Sequence, residues 1–372
     1  MSKIRVLVVD DSAFARRLLT DALQKDPDIE VVGTANNGRT AVFKSFVYYP
    51  DVITMDIEMP VMNGLDALKE IMEKNPKPVI MMSSLTQHGA EATFKALEYG
   101  AVDFIPKPQN LFSMSIENLS EVLVSKVKMC ANADVNLRSK SCQLKEKKDY
   151  DDNFAVAKQN IEKKAVKEIL PENISLKNGF SGKKSDKIVC IGTSTGGPSA
   201  LISIFKSIPE NFPAPILVVQ HMPEGFTKAF AERLNTISSI SVKEAEDNDV
   251  IYSGKAYIAP GHSHIMIEQR GLEHIIRLDK GDKVSGHRPS IDKLFLSASK
   301  IFSDAVVAVI MTGMGRDGAD GIMSIKKAGG RTIAQNEQTS VVYGMNRVAV
   351  ESGAIEQIVP LNAITEKIID FL

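Results

Sequence analysis

A serine flanked by glycines is the first residue in this chain whose setting suggests chemistry. Ser194 lies in residues 187–198, KIVCIGTSTGGP, where the apolar run 188–191 predicts a buried strand. Pro198 is tolerated in the first turn of a helix, so the serine would occupy a sharp turn between a strand and a helix. Residues 192–196 match G-x-S-x-G, the pattern of a nucleophilic serine. Two other interpretations stay open, because a glycine-rich turn can also bind phosphate through its N–H groups or be an ordinary tight turn.

A histidine and an aspartate occupy equivalent positions further along the chain. His221 follows the apolar run 216–219, and Asp317 follows the run 305–311 through a glycine-rich turn. Like Ser194, each comes after a predicted strand and before a predicted helix, and such strand ends meet at one edge of a parallel sheet. Histidine can take the proton of a serine hydroxyl and return it to a leaving group, while aspartate can fix the imidazole tautomer. The sequence therefore indicates acyl transfer by a Ser-His-Asp triad joined in one hydrogen-bonded chain.

Backbone N–H groups for a developing oxyanion are available on both sides of this site. Thr195 follows the serine, and Met314 lies in the Gly-Met-Gly turn that precedes Asp317. The chain order Ser, His, Asp differs from the Ser, acid, His order of α/β-hydrolases. That fold is therefore disfavoured in spite of the G-x-S-x-G match.

Each of these residues also has a simpler interpretation. A histidine at a strand end is often only a polar loop residue, and Asp317 could cap the helix that follows it. His262 and His264 could be metal ligands, but no third ligand is evident, so we expect neither metal nor cofactor in this part of the chain. His287 precedes an Arg-Pro-Ser sequence in which Ser290 is expected to cap a helix.

Length and composition predict a soluble protein of two or three domains. The chain has 372 residues, a formal net charge of −1 and an ordinary hydrophobic fraction of 44%. This charge provides no global field for nucleic acid or an anionic membrane, and we find neither a signal peptide nor an apolar run that could span a bilayer. The three cysteines form no C-x-x-C pair, so neither zinc nor disulfides are indicated. We expect a cytoplasmic monomer.

The first domain, about residues 3–125, alternates apolar strands with amphipathic helices. The first strand covers residues 4–9, and further strands are expected at about 29–34, 51–55, 78–83 and 101–105. This alternation predicts an α/β fold with a doubly wound parallel sheet and helices on both faces.

Polar side chains stand at the ends of these strands. They are three carboxylates, a hydroxyl and an ammonium group, from Asp10, Asp11, Asp56, Ser83 and Lys107. Carboxylates this close would repel each other without a cation, and a ligand set of oxygens alone suits Mg²⁺. Asp56 would then attack a phosphoryl group and form an acyl phosphate, whose oxygens Lys107 and Ser83 would hold. The simpler interpretation, that the aspartates only cap helices, does not account for all five positions.

These residues resemble a flavodoxin-like response-regulator receiver domain. The resemblance rests on Asp10-Asp11, the sequence DIEMP at 56–60, Asn63-Gly64, Ser83-Ser84 and Lys107-Pro108. It implies phosphotransfer from a histidine kinase to Asp56, with Mg²⁺ held by Asp11, Asp56 and the carbonyl of Glu58, next to Asp10. Asn63 stands where the family commonly has an aspartate.

Residues 126–185 are rich in lysine and poor in large apolar side chains, a composition that predicts a solvated linker. Ala157, Ile161, Ala165 and Ile169 share one face of a short candidate helix, which leaves open a segment that folds on contact with a partner. A tether of this length would let two domains dock and separate.

The last part of the chain, residues 186–372, resembles the catalytic domain of chemotaxis protein-glutamate methylesterases. The resemblance rests on GTSTGG at 192–197, QHMPEGFT at 220–227, APGH at 259–262, GHRPS at 286–290 and MTGMGRDG at 311–318. It implies a second doubly wound, Rossmann-like parallel sheet. It assigns the nucleophile, base and acid to Ser194, His221 and Asp317, with the backbone of Met314 as an oxyanion donor. Arg316 occupies a variable position of the motif.

Together the two resemblances imply a phosphorylation-activated hydrolase that removes methyl esters from chemoreceptor glutamates and deamidates receptor glutamines. A histidine kinase and the receptors would be its partners, without nucleic acid or membrane insertion. The receiver would cover the triad until Asp56 is phosphorylated. Two other classes of protein fit the sequence less well. A complete Ser/His/Asp set argues against a binding module with an inactive hydrolase domain, and the lack of a helix-turn-helix or basic patch argues against a transcriptional regulator.

Overall fold

The computed structural model describes residues 2–84, 86–107, 116–131 and 185–372. These residues form two α/β domains, each built on a parallel sheet, which confirms the predicted fold class. Nearly all of the predicted linker, with its candidate helix, lies outside the described residues. Among the described helices, none combines the length and the apolar character that crossing a bilayer requires.

The described part of the first domain contains five strands and five helices in alternation. The strands are Ile4–Val9 (β1), Ile29–Ala35 (β2), Val52–Asp56 (β3), Val79–Ser83 (β4) and Asp103–Pro106 (β5). The helices are Ala13–Gln24 (α1), Gly38–Tyr48 (α2), Gly64–Lys74 (α3), Gln87–Glu98 (α4) and Ile116–Cys130 (α5). All strand pairs are parallel, in the order β2-β1-β3-β4-β5.

Two helix ends in the first domain can be compared with what the sequence predicted. Helix α5 runs beyond the expected domain end at residue 125, because Val127 and Cys130 are still buried in the core of the domain. Asn63, the departure from the receiver pattern, caps α3 by accepting a hydrogen bond from the N–H of Asp66 over 2.9 Å. Asparagine and aspartate are equally good caps, so the departure leaves this helix start intact.

The second domain is a larger parallel sheet covered by helices. Its strands are Ile188–Thr193 (β6), Ile216–Gln220 (β7), Ser241–Glu244 (β8), Lys255–Ile258 (β9), Val306–Ile310 (β12), Arg331–Gln335 (β13) and Gln357–Val359 (β14). Its helices are Gly197–Ser207 (α6), Thr227–Ile237 (α7), Ile291–Phe302 (α8), Ala319–Lys327 (α9), Met345–Glu351 (α10) and Ile364–Phe371 (α11). The strand order is β14-β13-β12-β6-β7-β9-β8.

The order of the central strands decides where the site lies. Strand β6 pairs with β12 on one side, where Ile310 is opposite Gly192, and with β7 on the other, where Thr193 is opposite Gln220. The chain therefore changes direction across the sheet at β6, and crevices at such switch points bind ligands in open α/β sheets.

An antiparallel hairpin, His264–Arg270 (β10) and Glu273–Asp279 (β11), interrupts the alternation and was not predicted. Its side chains Ile265 and Ile276 are fully buried, and β10 packs against helix α8. The loop that leaves β11 leads into the first turn of α8, which forms part of the candidate site.

The two domains pack against each other through aromatic side chains. Phe94 on α4 lies 5.2 Å from Phe230 on α7, measured between ring centroids. Phe104 on β5 lies 4.7 Å from Phe226, which immediately precedes α7. All four rings are buried, so apolar area stabilises the docked arrangement.

Polar contacts extend this interface towards the glycine-rich turn before Asp317. Arg233 on α7 donates a 3.0 Å hydrogen bond through Nε to Glu98 on α4. The hydroxyl of Ser125 on α5 lies 3.3 Å from Sδ of Met314. The first domain therefore contacts the turn that carries one of the predicted oxyanion donors.

Candidate active site and phosphoacceptor site

Ser194 lies on the sharp turn between β6 and α6, and its backbone is held on both sides. Its N–H donates to the carbonyl of Thr312 over 3.0 Å, while its carbonyl accepts from the N–H of Gly197 at 2.8 Å and from Nε2 of Gln220 at 3.0 Å. Gly196 has a φ of +76°, which favours glycine. A Cβ at Gly197 would approach Oε1 of Gln220 to 2.1 Å, so the turn also requires glycine there.

His221 and Asp317 meet at the ends of β7 and β12. Nε2 of His221 lies 2.8 Å from Oδ2 of Asp317, which is buried. The carboxylate also accepts hydrogen bonds from the hydroxyl of Ser290 at 2.8 Å and from the N–H of Ile291 at 2.7 Å, in the first turn of α8. Burial alone would raise the pKa of Asp317, but the hydrogen bond and charge of His221, with the Ile291 and Ser290 donors, outweigh it and hold the pKa below its usual range. Asp317 therefore stays ionised and orients the imidazole.

The continuous Ser-His-Asp hydrogen-bonded chain expected from the sequence is not present. Among the described residues, the hydroxyl of Ser194 forms no hydrogen bond with His221, and Nδ1 of His221 is buried without a partner. The two residues are nevertheless neighbours, since the N–H of His221 donates to the carbonyl of Thr193 over 3.0 Å. Catalytic hydrogen bonds often tighten only when substrate binds, so Nδ1 is the atom available to accept the serine proton.

The predicted oxyanion donors form no hydrogen bonds within residues 185–372. The backbone N–H groups of Thr195 and Met314 donate to no acceptor in this part of the chain. The turns that carry them are linked, because the hydroxyl of Thr312 donates to the carbonyl of Thr195 over 2.9 Å. Gly313 packs directly on Ser194, since a Cβ at this position would lie 2.6 Å from Cβ of the serine.

Sequence reasoning missed two side chains that contact members of the predicted triad. It identified Ser290 only as a helix cap, and the capping signal does not reveal that the hydroxyl also reaches Asp317. It gave no role to His287, whose ring stacks on His221 with 3.8 Å between centroids and 10° between planes. No local pattern predicts this stack, because the two histidines are brought together by different loops.

Both ring nitrogens of His264 and one of His262 are occupied by hydrogen bonds in this structure. His264 is buried, with Nε2 2.9 Å from the carbonyl oxygen of Asp282 and Nδ1 accepting from the N–H of Ser290 at 3.1 Å. Nδ1 of His262 lies 2.7 Å from the hydroxyl of Ser263. Both nitrogens of His264 are thus bonded to backbone, where they support the turn that begins α8.

The acidic residues at the strand ends of the first domain form one cluster. Carboxylate oxygens of Asp10, Asp11 and Asp56 all lie within 4.8 Å of one another. Lys107 joins them, with Nζ 2.8 Å from Asp10 and 2.7 Å from Asp56. Burial raises the pKa of Asp56 to about 6, although the hydrogen bond and charge of Lys107 act in the opposite direction. This set of oxygen donors, exposed on the Asp11 side, fits Mg²⁺.

The remaining predicted receiver residues lie around this cluster in different ways. Glu58 takes part through its backbone, since its N–H donates to Asp56, and its side chain is not among the clustered carboxylates. The buried hydroxyl of Ser83 is turned towards α4 and donates to the carbonyl of Gly89 at 3.0 Å. It also accepts a 2.6 Å hydrogen bond from Thr93. To bind a phosphoryl oxygen, as the resemblance implies, the Ser83 hydroxyl would have to leave these two partners.

Comparison with known families assigns both domains. Residues 189–368 match the CheB methylesterase family, and residues 6–115 match the response regulator receiver domain. The structure is similar to the crystal structure of the Thermotoga maritima CheB methylesterase catalytic domain. That chain is 44% identical, the match covers 51% of this chain and 100% of that one, and the TM-score is 0.50.

Similarity to curated proteins extends along the whole chain. A protein of Pyrococcus abyssi named protein-glutamate methylesterase/protein-glutamine glutaminase is 47% identical over 368 residues, which cover 99% of this chain and 93% of the relative. A protein of Methanococcus maripaludis with the same name is 42% identical over 373 residues, 100% of this chain and 98% of the relative. The chain therefore belongs to the protein-glutamate methylesterase/protein-glutamine glutaminase family, with a response regulator receiver domain preceding the methylesterase domain.

Proposed function

We propose that this protein hydrolyses methyl esters on glutamate side chains of chemoreceptors and deamidates specific receptor glutamines, under the control of phosphorylation at Asp56. The names of its relatives supply the two reactions. The observation that supports them most is the state of His221, which Asp317 holds through Nε2 while the buried Nδ1 stays unpartnered beside the Ser194 turn.

The first half of the reaction acylates Ser194. Nδ1 of His221 takes the hydroxyl proton as Oγ forms a bond with the ester carbonyl carbon, and the carbonyl π electrons move onto its oxygen. The N–H groups of Thr195 and Met314 stabilise this oxyanion. When the intermediate collapses, the bond to the methoxy oxygen breaks, and His221 returns its proton so that methanol leaves.

The second half restores the serine. Water loses a proton to Nδ1 of His221 as its oxygen attacks the acyl carbon, and the same proton returns to Oγ of Ser194 when the acyl bond breaks. The product is a free glutamate side chain. A glutamine side chain reacts by the same route and releases ammonia in place of methanol.

Asp56 is the proposed phosphoacceptor, with a histidine kinase as donor. One of its carboxylate oxygens forms a bond with phosphorus as the bond to the phosphohistidine nitrogen breaks. Asp10, Asp11 and Asp56, with the carbonyl of Glu58, would hold Mg²⁺, which would neutralise charge on the phosphoryl oxygens. Lys107 already pairs with Asp56 and is placed to bind one of these oxygens.

Helix α4 connects the phosphorylation site to the domain interface. Turning the Ser83 hydroxyl towards a phosphoryl group breaks its bonds to Gly89 and Thr93 at the start of this helix. The same helix carries Phe94 and Glu98, which hold the second domain. Phosphorylation therefore shifts a docking equilibrium that otherwise keeps the receiver against the Met314 turn. We place the protein in the cytoplasm as a monomer, where kinase and receptor tails are accessible.

Methanol release from methylated receptor membranes tests the function, with and without a small phosphodonor. Ser194→Ala should abolish release, whereas Ser203→Ala, a change on the exposed face of α6, should not. Asp56→Ala should remove the stimulation by phosphodonor, whereas Asp21→Ala on the surface of α1 should retain it. Full activity of Ser194→Ala would refute the triad, and equal stimulation of wild type and Asp56→Ala would refute the switch.

A further inference from the structure

The segment 284–291 is shaped by a tight turn just before helix α8. Val284 and His287 exchange backbone hydrogen bonds of 3.0 and 2.9 Å. Between them, Ser285 and Gly286 have φ values of 50° and 82°, as a two-residue hairpin turn requires. This turn fixes the direction in which the His287 side chain leaves the backbone.

The same segment contacts two members of the proposed triad. The ring of His287 lies flat on that of His221, 3.8 Å away between centroids, and the side chain of His221 is only 6% exposed. Three residues later, the hydroxyl of Ser290 and the N–H of Ile291 hold the carboxylate of Asp317. One stretch of chain thus determines both the plane of the base and the position of the acid that orients it.

The stack supplies a restraint that hydrogen bonding does not. A single hydrogen bond at Nε2 leaves an imidazole free to tilt about the bond axis, and Nδ1 of His221 has no partner to prevent this. A flat ring against one face blocks the tilt by steric contact. With its plane fixed, Nδ1 keeps one position relative to the Ser194 turn, and errors in the position of a catalytic group are costly to catalysis.

The stacked ring carries no charge near neutral pH. Burial, and then the charge of His221, lower the pKa of His287 to about 4. The other charged groups that act on it are Asp317, Lys283 and Lys126 of α5. A neutral ring does not repel the imidazolium that forms when His221 accepts a proton.

We propose that His287 is a positioning residue for the esterase reaction, whose flat neutral ring keeps His221 in the plane that joins Asp317 to Ser194. This inference rests on the proposed function, because it assigns His221 the role of base. It predicts that ring shape, and not the ring nitrogens, is what position 287 requires.

Steady-state methanol release by the full chain with phosphodonor tests the proposal in two variants. His287→Phe retains a flat uncharged ring and should stay within about threefold of wild-type kcat, whereas His287→Ala should lower kcat at least about tenfold with KM unchanged. His262→Ala, a change at a partly exposed histidine two residues before β10, is the control and should behave as wild type. Thermal unfolding of each variant is measured first, and His287→Gln replaces the alanine variant if that one does not fold.

A second readout does not depend on esterase activity. The mobility of the His221 ring, followed by carbon-13 NMR relaxation of the labelled side chain, should increase in His287→Ala because the stacked ring no longer restrains it, and should stay near wild type in His287→Phe. If the wild type releases no methanol, the proposed function fails while this relaxation measurement still tests the stack. Equal losses of kcat in both variants, or an unchanged mobility of the His221 ring in His287→Ala, would overturn the role of His287.

Discussion

The hydroxyl of Ser290 donates a 2.8 Å hydrogen bond to Oδ1 of Asp317 from the residue that also caps helix α8. The same carboxylate uses Oδ2 for His221. One side chain therefore holds both the start of α8 and the proposed catalytic acid, whereas an ordinary cap residue holds only the helix.

Ser290→Ala should affect both stability and rate. Loss of the cap should reduce the free energy of unfolding by about 1 kcal/mol, and a less firmly held Asp317 should lower kcat by about tenfold. Ser290→Thr keeps the hydroxyl and serves as the matched control. Urea unfolding and methanol release measure the two effects. A variant that loses stability but keeps wild-type kcat would show that Ser290 acts only as a cap.

Gly313→Ala should inactivate the enzyme without unfolding it. The new Cβ would lie 2.6 Å from Cβ of Ser194, so this side chain must move. A displacement of this kind should lower kcat by about a hundredfold. Gly281→Ala is the control, since its Cβ would meet only the flexible carboxylate of Asp279 at 3.0 Å. Near-wild-type methanol release by Gly313→Ala would mean that the serine does not occupy its reactive position in this structure.

The positions of the strand ends could be predicted from the sequence, but the contacts between the side chains at those ends could not. Ser194, His221 and Asp317 follow buried strands because apolar runs and glycine-rich turns are local signals. The choice of Nε2 as the partner of Asp317 and the stack of His287 on His221 depend on how separate loops pack. The spacing of residues along the chain does not predict such contacts.

The same limit applies to whole elements. The acidic cluster of the receiver was predicted because parallel strands must end at one edge. The β10–β11 hairpin and the docking of α4 on α7 were not, since both depend on tertiary packing. The extension of α5 to Cys130 was missed because helix ends carry weak signals when no cap or proline marks them.

Asp292, next to the site, should make stability depend on pH. Burial raises its pKa to about 6 from an ordinary value of 3.8, with a further contribution from the charge of Asp317. An acid whose pKa rises on folding stabilises the protein fully below about pH 4 and loses that contribution as pH rises through about 6. Asp292→Asn keeps an oxygen for the N–H of Gly321, now 2.7 Å away, and removes the titration.

The variant should therefore gain stability relative to wild type between about pH 4 and pH 7, by on the order of 2 kcal/mol. Denaturant unfolding at several pH values measures the difference. Asp304→Asn, a change at an exposed residue just after α8, is the control and should run parallel to wild type. Parallel curves for Asp292→Asn would contradict the raised pKa.

The pair of Arg233 and Glu98 should restrain the unphosphorylated enzyme. Arg233 donates through Nε to Glu98 over 3.0 Å across the domain interface, and both side chains are partly exposed. Such a pair contributes about 1 kcal/mol, so Arg233→Ala or Glu98→Ala should raise methanol release without phosphodonor by about fivefold and reduce the further stimulation. The double variant should gain no more than either single one. Arg331→Ala, which breaks an arginine–glutamate pair with Glu356 inside the second domain, is the matched control and should leave basal release unchanged. Unchanged basal release in both interface variants would show that this contact does not hold the inactive state.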